Sequence, residues 1–329
     1  MAEEFAQLLA AAVQRRFGEN ARVLDLKSLS GGASAETWAF DVQTLEARWP
    51  LILQRMAGAG QFQASLDRAL QAEVQSAALR GGVPVAAVSF VLDDADRIGN
   101  GYAMARIEGE TLGPRILKLD ELAAARAGMT QQCGSILARI HQLDSRSLPP
   151  LPIRSARESL DALRNIYQRL EAELPVFELA LQWLEDHLPA PVSATLVHGD
   201  FRLGNLIVGP EGIRAVLDWE MAHIGDPAED LGWICVPSWR FGELKREVGG
   251  FGHLQDLLSS YESAGGLRVD STRIKFWQVY GCLKWGLVCL FFAFQFLNGD
   301  VPVLERAVIG RRTSETELDL LRLMSTELN

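Results

Sequence analysis

The chain has 329 residues, a formal net charge of −10, 48% hydrophobic residues and 22% charged ones. This is the composition of an ordinary globular protein, with room for one large domain or two lobes. The acidic balance excludes a general grip on nucleic-acid backbones, which needs a basic face. The opening residues, MAEEF, start acidic where a secretory signal would start basic, so none is expected. The four cysteines, Cys133, Cys235, Cys282 and Cys289, form no C-x-x-C pair and read as reduced core thiols of a cytoplasmic protein.

In chain order, Phe5, Leu8, Leu9, Ala12, Val13 and Phe17 recur at helical spacing and predict a helix over 3–17. The period then changes. RVLDLKSL and TWAFDV read as strands joined by the small-residue loop SGGASAE, and PLILQRM as a third strand. Residues 65–80 return to helix, and GGVPV stops it. AVSFVL and YAMARI, separated by the turn DDADRIGNG, complete a small α+β unit.

From Glu108 the chain is mainly helical. Helices are expected over 120–143 and 154–174, then from Pro175, which suits a first helical turn. Two short strands interrupt them, 206–208 and 213–218, joined by the turn GPEG. Closing helices are expected over 254–263, 270–297 and 314–327. The apolar run GLVCLFFAFQFL inside the second of these is shorter than the roughly 20 residues that span a bilayer, so a buried core helix and no membrane partner are expected.

The chemistry gathers around LVHGDFRLGNLIV, residues 196–208. A carboxylate beside an apolar strand is costly unless something pairs with it. The hairpin returns Asp218 to the same loop. Asn205 and Asp218 supply two oxygens from two sides of it, which suits Mg²⁺, an ion that takes one or two protein carboxylates and completes its shell with phosphates and water. Asp200 is then free to receive a hydroxyl proton, and Arg202 to neutralise a transferring phosphoryl group. In GDPAEDLGW, Asp226 suits a helix cap, and Glu229 and Asp230 suit a first turn.

HGDFRLGN resembles the catalytic loop H-x-D-x-x-x-x-N of the kinase-like phosphotransferases, and VLDWE resembles the metal-binding aspartate that follows it. Within that superfamily the chain is most similar to the aminoglycoside phosphotransferase-like family. More narrowly, it resembles the branch that includes kinase-like domains fused to some acyl-CoA dehydrogenases. LSGGASAETW, MARIEGETLGPRIL, LDWEMAHIGDPAEDLGW and KWGLVC carry that closer likeness.

The resemblance implies an α+β, bilobal, protein-kinase-like fold, with a small antiparallel-sheet N-lobe over 1–107 that binds nucleotide. A mainly helical C-lobe over 108–329 would carry the catalytic loop and bind substrate. It implies ATP and Mg²⁺ as cofactors, Asp200 and Arg202 as catalytic residues, and Asn205 and Asp218 as metal ligands. Gly31, Gly32 and Ser34 would cradle phosphates, and Met104 would pack near adenine. Glu73 is the implied partner of a strand lysine, but that lysine is absent: Gln54 stands in its place, with Arg55 next to it. Strand side chains alternate, so only a bulge would turn Arg55 into the cleft. His198 and Asp230 are implied to support the loop rather than react.

The expected reaction is γ-phosphoryl transfer from ATP to a hydroxyl of a small molecule, aminoglycoside-like or hydroxyacyl-CoA-like. For a CoA group, Arg240, Lys245 and Arg246 are the candidate cations. A nucleotide-binding pseudoenzyme is the alternative that Gln54 suggests. A protein kinase is the third reading, disfavoured because no A-P-E segment follows Asp218.

Overall fold

The computed structural model describes residues 2–29, 35–56 and 65–325. Gly31, Gly32 and Ser34 lie outside them.

Helix α1 (Ala2–Phe17) has glutamates in its first turn and arginines in its last, each placed to suit the helix dipole. Its Phe5, Leu9, Ala12 and Val13 are buried on one face of a five-stranded antiparallel sheet. The strands are β1 (Arg22–Leu29), β2 (Ala35–Gln43), β3 (Arg48–Met56), β4 (Val88–Val91) and β5 (Gly101–Ala105), in the order β1-β2-β3-β5-β4. Alternation divides β3 and β5 between two faces. Leu51, Leu53 and Ala103 join α1, whereas Ile52, Tyr102 and Met104 pack with Ala72 of α2 (Arg68–Arg80) on the other side. Asp67 caps α2 by accepting from the Leu70 amide at 2.8 Å.

The C-lobe contains α3 (Gly113–Lys118), α4 (Ala123–His141), α5 (Ala156–Arg169) and α6 (Pro175–Asp186). Strands β6 (Thr195–Val197), β7 (Leu206–Gly209), β8 (Gly212–Val216) and β9 (His223–Gly225) follow, with β6 paired to β9 and β7 to β8. Then come α7 (Ala228–Trp233), α8 (Leu254–Ser263), α9 (Ser271–Leu297), α10 (Leu304–Gly310) and α11 (Thr313–Ser325). By length and composition α9 could cross a membrane, but 56% of its apolar stretch is buried, and it packs against α7, α10 and α11. All four cysteines are buried free thiols. The fold is the bilobal α+β arrangement expected. Helices α3 and α10 and the three-residue strands β6 and β9 are additions to the sequence reading.

Backbone bonds join the two lobes. The Leu66 amide donates to the Glu220 carbonyl and the Val216 amide to the Pro84 carbonyl, both at 2.8 Å. The turn after Asp218 is thus fastened to the start of α2. Within the C-lobe, Glu110 and Val208 exchange two bonds of 2.9 Å, which ties the segment entering the lobe to β7.

Helices α4 and α8 cross closely at Gly134, where an added Cβ would lie 2.7 Å from the Ser260 Cβ and 2.8 Å from the Leu257 carbonyl. Backbone cannot give way as a side-chain tip can. Gly134→Ala should therefore cost about 1–3 kcal/mol, the usual penalty of overpacking. Chemical denaturation would read it as a lower midpoint at unchanged slope.

Candidate active site

Strand β6 ends at Val197, and His198 begins the loop that holds Asp200, Arg202 and Asn205. Gly199 has φ +79, and a Cβ there would sit 2.6 Å from the Met221 carbonyl, so glycine is required by both conformation and space. The Leu217 amide donates to the Asn205 carbonyl at 2.8 Å, which draws the loop against the end of β8. Asp218 follows in a left-handed conformation, φ 66 and ψ 69. Aspartate tolerates this better than most residues. The loop and hairpin residues chosen from sequence therefore converge.

The Asp200 carboxylate is held on both oxygens. Its Oδ1 accepts from the Trp233 indole at 2.8 Å and from Arg202 Nε at 3.1 Å. Its Oδ2 accepts from Asn205 Nδ2 at 2.6 Å. Arg202 also lies 4.8 Å above the Trp239 ring. Three donors fix the carboxylate's direction.

His198 is fully buried, and burial holds its imidazole below the ordinary value. Its Nε2 donates to the Leu217 carbonyl at 3.0 Å, while Nδ1 accepts from the Asp200 amide at 3.2 Å. Both nitrogens are committed to backbone, so the ring joins the two halves of the site. Asp230, 0% exposed, accepts from the His198 amide at 2.8 Å and the Gly199 amide at 2.9 Å. His141 Nε2 reaches the same carboxylate at 3.2 Å and Tyr261 through Nδ1 at 2.8 Å. Burial alone would raise the Asp230 carboxyl, but His141 and the loop amides hold it below the usual range.

Asn205 spends its amide nitrogen on the Asp200 carbonyl and carboxylate, which leaves its amide oxygen for a hard cation. Burial, then the charges of Glu220 and Asp200, push the Asp218 carboxyl up to about 7, against the pull of Arg202 and Arg68. A divalent cation among these oxygens would remove that cost. Among the described residues no group of three or more His, Cys, Asp or Glu forms a protein cage. The Asn205 and Asp218 oxygens are of the hard kind that Mg²⁺ takes, its shell completed by phosphates and water.

The nucleotide side needs two corrections. The register of β2 and β3 runs without a break from Ala35↔Met56 to Gln43↔Arg48, so no bulge turns Arg55 inward. Arg55 pairs with Glu36 at 2.6 Å and stacks 4.6 Å over Phe5 of α1, on the face away from α2. Glu73 is exposed on α2, in a groove with Ser76, Arg80 and residues 146–149. The helix turns Gln75 inward in its place, where it donates to the Ala86 carbonyl at 2.6 Å and accepts from the Tyr102 hydroxyl at 3.1 Å. Met104 is buried beside it, with its sulfur 3.4 Å from Gln75 Nε2.

Sequence reasoning missed Trp233 and Lys284. Lys284 is 7% exposed on α9, with Nζ 3.4 Å from the Gly199 carbonyl and 4.8 Å over the Trp233 ring. A single charged residue in the apolar stretch from Phe276 to Leu297 was its only signal. Trp233→Phe keeps the ring under Lys284 and deletes the N–H on Asp200. Turnover should fall by about tenfold, the worth of one hydrogen bond to a charged group. Steady-state kinetics with an unchanged kcat would show that the indole does not serve the carboxylate.

The protein is similar to known phosphotransferases along most of its length. Residues 25–267 match the phosphotransferase enzyme family. Mouse acyl-CoA dehydrogenase family member 10 is 34% identical over 175 residues, covering 50% of this chain and 16% of that protein. Family member 11 of Pongo abelii is 26% identical over 261 residues, covering 74% and 32%. The chain thus spans less than a third of the length of these curated relatives. A Ralstonia eutropha protein assigned to the aminoglycoside phosphotransferases shares the fold with a TM-score of 0.73 at 21% identity, covering 97% of this chain and 98% of that one. An aminoglycoside phosphotransferase crystallised with AMP-PNP and hygromycin B gives 0.58 at 16% identity, covering 94% and 98%. With the family match spanning well over half its residues, this chain belongs to the phosphotransferase enzyme family.

Proposed function

We propose that this kinase-type enzyme transfers the γ-phosphoryl group of ATP, with Mg²⁺, to a hydroxyl of a small molecule. The observation that carries the reading is the Asp200 carboxylate, fixed by Trp233, Arg202 and Asn205 beside the oxygens of Asn205 and Asp218. Residues 1–107 bind the nucleotide in this reading, and residues 108–329 hold the acceptor. Met104 packs near the adenine.

Asp200 orients the acceptor hydroxyl and takes its proton. Asn205 and Asp218 would hold the metal. When bound, Mg²⁺ neutralises phosphate charge as the transferred group moves. Arg202 lies beside Asp200 and offsets the charge of that group from the acceptor side. Fixed donors of this kind lower the barrier because they need no rearrangement during reaction.

The acceptor is aminoglycoside-like or hydroxyacyl-CoA-like. Among the three cations weighed for a CoA group, Arg240 adjoins Trp239, which carries the Arg202 guanidinium, while Lys245 and Arg246 are exposed. Mg·ATP incubated with a hydroxyl panel containing both classes, read by mass spectrometry, tests the proposal. A gain of one phosphoryl group on a panel member, lost in Asp200→Asn, is the expected result. ATP binding with no product across the panel would favour the pseudoenzyme, the reading that Gln54 supports.

A further inference from the structure

Lysine is seldom buried without an acid beside it. Lys284, on α9, is 7% exposed. Its Nζ meets the Gly199 carbonyl at 3.4 Å and the Trp233 ring at 4.8 Å, and neither partner is an acid. Holding an ammonium against a carbonyl and a ring is costly, and an apolar side chain of the same length would fill the place without that cost. Both partners, however, lead to Asp200.

The first route runs through the backbone. Gly199 stands just before Asp200 at φ +79, and glycine turns more freely than any other residue. Rotation there would carry Asp200 with it. The peptide that joins the two residues is held at both ends. Its N–H, on Asp200, donates to His198 Nδ1 at 3.2 Å, and its carbonyl, on Gly199, faces Lys284 Nζ. The second route runs through the side chain. Trp233, on α7, donates from Nε1 to Asp200 Oδ1 at 2.8 Å. A cation over the face of the ring polarises the indole and makes its N–H a stronger donor. One lysine thus steadies the backbone and the carboxylate of the same residue.

We infer that Lys284 is a positioning residue for phosphoryl transfer: it fixes the Gly199–Asp200 peptide and, through Trp233, the direction of the Asp200 carboxylate. The inference rests on the reading of Asp200 as the group that takes the acceptor proton.

Lys284→Met keeps the length of the side chain and removes the charge. Thermal unfolding, calorimetry with Mg·ATP, and single-turnover kinetics with the acceptor found in the hydroxyl panel test the inference on the full chain. The rate should fall by about tenfold, the worth of one hydrogen bond to a charged group, while Mg·ATP affinity stays within about twofold. The melting temperature should hold or rise, because a buried charge is gone. Combined with Trp233→Phe, the loss should be smaller than the product of the two single losses, since both residues act on one carboxylate. A full product would show that the lysine does not act through Trp233 and overturns the inference. A lysine that only supports the fold would lower the melting temperature or leave the chain unfolded, and either result overturns it. An unchanged rate in Lys284→Met, with Asp200→Asn inactive, overturns the inference alone. Retained turnover in Asp200→Asn, or a wild type that phosphorylates nothing, overturns both.

Discussion

Asp200→Asn should cut turnover by about a hundredfold or more, the usual scale for loss of a general base, while Mg·ATP still binds. The substitution preserves shape and removes the proton acceptor. It also disturbs the carboxylate's surroundings, because Asn205 and Trp233 both present N–H groups to it. An amide can turn its oxygen to only one of them, so its own N–H must face a donor. Single-turnover kinetics and calorimetry separate the two effects: chemistry slows and nucleotide affinity holds. Retained turnover would remove Asp200 from the reaction. His198 could not then take over without releasing a bond, since both of its nitrogens are bound to backbone groups.

Asp218→Asn should be nearly as damaging for a different reason. It keeps a residue type that tolerates the left-handed backbone at this position and removes one negative charge from the metal site. Metal binding to transferring phosphates is worth several kcal/mol, so turnover should drop on the order of a hundredfold. Unlike Asp200→Asn, this variant should also lose Mg·ATP affinity. Chelating Mg²⁺ from the wild type should imitate it. Equal ATP affinity with and without Mg²⁺, in both proteins, would remove Asn205 and Asp218 from the metal site.

How much was legible in the sequence depended on distance along the chain. The loop from His198 to Asn205 could be read because its parts lie within a few residues, and the hairpin that returns Asp218 is short. Strand alternation also gave the right geometry for Arg55: with no bulge, it faces α1. Glu73 was assigned by resemblance, and its charge alone read as a solvated helix residue; the helix leaves it exposed and turns the neutral Gln75 inward. Trp233 and Lys284 could not be read from spacing. They meet the loop across 33 and 85 residues, through packing that only the folded C-lobe creates. Strands β6 and β9 were missed because three residues are too few to show a period. Gly31, Gly32 and Ser34 lie outside the described residues.

The Asp230 carboxylate has a consequence for how the protein acquires its activity. Its bonds to the His198 amide and to His141 close spans of 32 and 89 residues. Helices form from neighbours in sequence, but a clamp of this kind must first meet the entropy of bringing remote segments together. The reactive loop is thus expected to form late in C-lobe folding, after α4 and α7 have docked. During refolding, ellipticity should return ahead of catalytic competence, which stopped-flow circular dichroism beside an activity assay would check. A preparation can regain its helical spectrum while Asp200 has yet to reach its working position.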